Sequence, residues 1–112
     1  MLVEVQIISI ENTGKSYVAF SQDVRPEIGD TTVGLNSVCV VESIASDSHQ
    51  KMYKLSDGSF LSNPIKILGE LSEFAIENNF FVGGKLFVSC EGTKGNPILV
   101  RDGSPLNLVR FP

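Results

Sequence analysis

Residues 2–10 alternate between apolar and polar positions, with Val3, Val5 and Ile7 on one side and Glu4 and Gln6 on the other. Successive side chains of a strand point to opposite faces, so this stretch predicts a strand with one buried face. Ile8 and Ile10 predict that its far end is covered on both faces. Asn12-Thr13-Gly14-Lys15 supplies a turn, and Tyr17-Val18-Ala19-Phe20 reads as the returning strand of a hairpin. Residues 22–37 contain Pro26, Gly29 and Gly34 among polar residues and read as a long irregular loop. Val38-Cys39-Val40-Val41 has the length and character of a central strand, and residues 46–50 read as polar and exposed. Met52-Tyr53-Lys54-Leu55 and Ser59-Phe60-Leu61 flank Asp57-Gly58, a dipeptide suited to a tight hairpin turn.

Further on, the period changes. Asn63-Pro64 can open a helix, although Ile65 and Ile67 alternating around Lys66 equally suit a short strand. From residue 69 the spacing is helical: Leu68, Leu71, Phe74 and Ala75 line one side, Glu70, Glu73 and Glu77 the other, and Asn78-Asn79 is a stop. The pattern predicts one helix near residues 69–78. Residues 85–91 and 97–101 read as two strands paired across Gly92-Thr93-Lys94-Gly95-Asn96, and residues 106–111 as an edge strand. With about seven strands and one helix, the class is α+β and β-rich: a small partly closed β-barrel, or a curved antiparallel sheet. Leu71, Phe74, Leu86 and Val88 are expected to join helix and sheet in one core.

A chain of 112 residues, 42% hydrophobic and 20% charged, has the composition of an ordinary globular protein and the length of a single domain, 1–112. No apolar run approaches the roughly 18 residues that a membrane-spanning helix needs. The first residues carry Glu4 inside their apolar run and no basic segment, so no secretory signal is expected; the chain is expected to be cytoplasmic, away from membranes. Cys39 and Cys90 each sit in an apolar run and are expected to be buried thiols, with a single disulfide as the alternative. The net charge of −4 is unevenly spread. Residues 1–80 hold five Lys or Arg against eleven Asp or Glu, a balance of −6, whereas residues 81–112 hold four against two, a balance of +2. Such asymmetry can mark a binding face.

Little here can run a reaction. His49, the one histidine, lies in a polar stretch beside Asp47 and Ser48, and neighbours along a chain do not converge as a catalytic triad must. Two distant cysteines and one histidine do not make a zinc site, and no cofactor is expected. Glu70, Glu73 and Glu77 fall on one face of the expected helix, where acids solvate readily and need partners from another element to do chemistry. Gly83-Gly84 precedes a strand, the reverse of a phosphate-binding loop. The expectation is a non-enzymatic binding protein.

One constellation remains. Phe80, Phe81 and Phe87 lie among Lys85, Lys94, Arg101 and Arg110, and aromatics on a sheet with nearby cations can stack bases and neutralise phosphates. Alternation puts Phe87 on the side of Lys85 and Ser89, opposite Leu86 and Val88. Either that side is a surface, and Phe87 stacks a base, or both faces are covered and Phe87 is core. The candidate nucleic-acid residues are therefore Lys85, Phe87, Lys94, Arg101 and Arg110, with single-stranded nucleic acid as the partner. The alternative is a protein-interaction or regulatory module, a homodimer included, in which the phenylalanines form an interface core.

Asn79-Phe80-Phe81-Val82-Gly83-Gly84-Lys85-Leu86-Phe87-Val88 resembles the helix-to-strand junction of AbrB-type transcription regulators and their SymE-type toxin relatives. The resemblance covers residues 66–101, with Asn79 standing for a glycine and Gly84 for an aspartate of that pattern. It implies dimerisation through swapped hairpins and contact with nucleic acid. Residues 23–68 are similar to a bacterial SH3-like barrel, and the order of strands, helix and strands is similar to an OB-fold.

Overall fold

The computed structural model describes residues 1–47, 49–77 and 84–111. Its largest unit is a six-stranded sheet built on β1 (Leu2–Ile10) and β2 (Lys15–Phe20), an antiparallel hairpin in register from Val5 opposite Phe20 to Ile10 opposite Lys15. Gly14 takes φ 67° in the turn between them, a conformation open to glycine at no steric cost. On its other side β1 pairs with β9 (Lys85–Ser89), which pairs in turn with β12 (Leu106–Phe111). The edges are β7 (Ile67–Glu70), antiparallel to β2, and β8 (Phe74–Ile76), parallel to β12. The full order is β7-β2-β1-β9-β12-β8.

Those two edges are consecutive in sequence. Only the 3₁₀ turn Leu71–Glu73 separates β7 from β8, and the pairing directions make the two strands run the same way. Six flat strands would span about 24 Å from edge to edge. The four Cα steps from Glu70 to Phe74 cover at most about 15 Å. The sheet is therefore rolled, and β7-turn-β8 acts as one bent strand bridging its two edges. Val3, Val5, Val18, Phe20, Val24, Phe74, Val88, Cys90 and Leu108 fill the interior, with Leu71 and Leu86 packed against them.

The helix expected near residues 69–78 does not form over residues 69–77, and residue 78 lies outside the described residues. A helix of about ten residues is marginal in water. Pairing with the open edges of β2 and β12 satisfies the same backbone groups and buries Ile67 and Phe74. Glu70, Glu73 and Glu77 consequently do not share a helical face. Leu71, Phe74, Leu86 and Val88 do belong to one core, but as parts of a rolled sheet.

The segment between β2 and β7 forms a second sheet. In it β3 (Thr31–Val33), β4 (Val38–Asp47), β5 (Gln50–Leu55) and β6 (Phe60–Leu61) are antiparallel neighbours in that order. Cys39, Val41, Tyr53 and Leu55 make its own small core. Gly58, at φ 86°, turns the β5–β6 hairpin as Asp57-Gly58 predicts. The expected loop at residues 22–37 contains the strand β3. An ion pair of 3.4 Å between Asp30 and Lys66, and a 3.1 Å hydrogen bond from Arg25 Nη1 to the Pro64 carbonyl, fasten this insertion to the strand entering the barrel.

The last expected hairpin is also rearranged. The strand from Lys85 stops at Ser89, and the N–H of Cys90 donates to the Met1 carbonyl at 2.8 Å. Only β10 (Glu91–Thr93) and β11 (Asn96–Ile98) pair across the Gly95 turn, as a separate two-stranded ribbon. The described residues thus hold twelve strands, not about seven, and the β12–β8 pair departs from an all-antiparallel sheet. Cys39 and Cys90 are buried free thiols. Among the described residues no helix is long and apolar enough to cross a membrane.

Candidate interaction surface

In β9, Leu86 and Val88 point into the barrel, so alternation turns Lys85, Phe87 and Ser89 outward. Phe87 stands between Glu4 of β1 and Val109 of β12, and Lys85 opposite Phe111. Phe87 is half-buried and meets the ring of Phe111 edge to face, with centroids 4.9 Å apart and planes at 61°. Phe111 itself is 47% exposed, as is Leu2 on the same outward side of β1. A sheet face turned to water normally alternates to polar residues. Here Leu2, Phe87, Val109 and Phe111 occupy outward positions among Glu4, Lys85, Ser89 and Asn107.

A groove of about 410 Å³ opens beside the aromatic pair. Its apolar walls include Leu2, Val24 and Phe87, and its charged side chains are Glu4, Asp23 and Lys94. Lys94 reaches it from the tip of the β10–β11 ribbon. The described structure therefore brings Phe87 and Lys94 together, with Lys85 on the same sheet face. It also brings two carboxylates, which the composition of the C-terminal segment does not reveal.

The two arginines go elsewhere. Arg101 donates from Nη1 to Oε1 of Glu73 at 2.9 Å, binding the end of the β11 segment to the barrel-closing turn. That hydrogen bond, aided by the N–H of Glu70, holds the Glu73 carboxyl below its ordinary range against the opposing effect of burial. Arg110 lies opposite Leu86, on the other side of β12 from Val109 and Phe111. Its stem passes so close to Gly84 that a Cβ there would come within 2.6 Å of Nε. Arg101 and Arg110 thus do not join Lys85, Phe87 and Lys94 on one face. Phe80 and Phe81, with the 78–83 junction that carries the AbrB-type resemblance, lie outside the described residues.

Other chemistry-bearing groups are separately engaged. His49 is exposed at the end of the β4–β5 ribbon. The Cys39 thiol lies 3.7 Å from the Ser37 carbonyl, and Asp57 is held below the usual carboxylate range chiefly by the Ser59 hydroxyl and N–H. Burial pushes the Cys90 thiol up, away from nucleophilic character. Among the described residues no three of His, Cys, Asp and Glu gather where they could hold a metal ion.

Comparison of the chain with protein-family models, with curated proteins and with solved structures finds no match.

Proposed function

We propose that the chain is a non-enzymatic protein-interaction module that docks a partner on the outward sheet face around Phe87 and Phe111. The observation that carries this reading is the aromatic pair itself: two rings in mutual contact, one of them 47% exposed, on a face where alternation calls for polar residues. Aromatic side chains bring large contact area at low conformational cost and dominate the energetics of interfaces. The adjoining groove is of a size to receive an apolar side chain of the partner, with Glu4, Asp23 and Lys94 available to polar groups around it.

Single-stranded nucleic acid is the second reading, favoured by Phe87 and Lys94 sharing one groove. Phosphate binding draws its strength from net positive charge that releases counterions. Glu4 and Asp23 offset Lys94 at the groove, and Arg101 is engaged by Glu73. Fluorescence anisotropy with a labelled oligonucleotide at low salt separates the two. The protein reading predicts no binding at about 50 µM protein, well above the specific range. Salt-sensitive binding lost in Lys85→Ala and Lys94→Ala would establish the nucleic-acid reading instead.

A further inference from the structure

The β4–β5 ribbon is more exposed than its fold requires. Ala45, Ser46, Gln50 and Lys51 are all exposed, and inward packing stops at Ile44 and Tyr53. The radius of gyration is 14.5 Å, against about 13 Å for a compact domain of this length, as an extended element would produce. A bare two-stranded ribbon is marginally stable in water. The two edges of this one differ. The outer edge of β4 is occupied by β3 as far as Val40, and by hydrogen bonds from Val41 to Asp30 and from Gly29 to Val41. A register shift follows between Val41 and Ser43, and from Ser43 to Ser46 no described strand lies on that edge. These residues carry no proline and no charge, the usual guards of an exposed edge.

We propose that two copies of this chain associate through this edge, β4 against β4 in antiparallel register about a two-fold axis at Ala45. Self-pairing there sets Ala45 against Ala45, Ile44 against Ser46, and Ser43 against Asp47. Within each ribbon Ala45 lies opposite Met52, and Ser43 opposite Lys54. The two-fold therefore lines up Met52, Ala45, Ala45 and Met52 as an apolar row across four strands. It also places Lys54 of one copy behind the small Ser43 that faces Asp47 of the other. Opposite charges approach and no like charges meet, as a self-complementary interface requires. The opposite edge of the ribbon fails this requirement, because self-pairing along β5 about its exposed Lys51 sets lysine against lysine. This inference is independent of the aromatic docking face and uses a different surface.

Sedimentation equilibrium of the full chain tests it. The interface lies at the small end of the usual range, so dimer should become evident only near about 100 µM. Ala45 is exposed, so Ala45→Lys and Ala45→Glu should leave the circular-dichroism spectrum unchanged. Each should weaken self-association by about tenfold or more, and an equimolar mixture of the two should restore it. Ala45→Cys should give a covalent dimer on mild oxidation. A chain that stays monomeric at about 1 mM, or a dimer indifferent to both charged variants, would overturn the inference. So would a dimer dispersed by Phe111→Ala alone.

Discussion

Glu73 and Arg101, 28 residues apart, meet at 2.9 Å, and the second oxygen of the same carboxylate accepts the N–H of Glu70 at 3.0 Å. One side chain thus closes the turn between β7 and β8 and anchors the segment after β11 to it. A cation that the sequence offers to a phosphate is spent on the fold.

That relationship has a pH signature. Glu73 has its pKa lowered from an ordinary 4.5, first by the Arg101 hydrogen bond. A carboxylate depressed on folding contributes stability that is present above its unfolded pKa and lost as pH falls through the folded one. Glu73→Gln should therefore lower the urea midpoint at pH 7 and make less difference at pH 3. The pair is exposed, so the effect at neutral pH should be at most about 1 kcal/mol. An equal loss at both pH values would show that the charge is not what matters.

Phe74 opens β8 and is 8% exposed inside the rolled sheet. Truncation to alanine should cost about 3–5 kcal/mol in denaturant unfolding. A loss below about 1 kcal/mol would remove Phe74 from the core and with it the closure by the bent strand.

Both thiols are buried, and Cys90 is held protonated by burial, with the nearby chain terminus opposing that effect. A native sample at neutral pH should label slowly with a thiol reagent, whereas unfolding in guanidinium should release both groups at once. Rapid labelling of either thiol without denaturant would contradict its placement.

Local signals were legible where two residues or a clean alternation suffice. Asp57-Gly58 marks its hairpin, Lys85-Leu86-Phe87-Val88 sorts inward from outward, and Val3 and Val5 show the buried side of β1. The segment from Leu68 to Phe74 misleads because so short a stretch fits a helical period and a bent strand equally well, and the decision lies with the distant edges of β2 and β12. Strand β3 has three residues between polar and glycine-containing stretches and exists because β4 offers it an edge. The same limit governs the surface. Phe87 is readable as outward, but Phe111 beside it, Glu4 and Asp23 in the groove, and the engagement of Arg101 are consequences of tertiary pairing.

The central claim is that the face bearing Phe87 and Phe111 binds protein. Random peptides selected by display against the full chain, then titrated against wild type and Phe111→Ala, test it most directly. Phe111 is largely outside the barrel core, so its truncation should leave the unfolding midpoint nearly unchanged. The account predicts selected peptides with apolar or aromatic anchors whose affinity falls by about tenfold or more in the variant, as truncation of an interface anchor does. Selected peptides that bind wild type and Phe111→Ala equally well would contradict it.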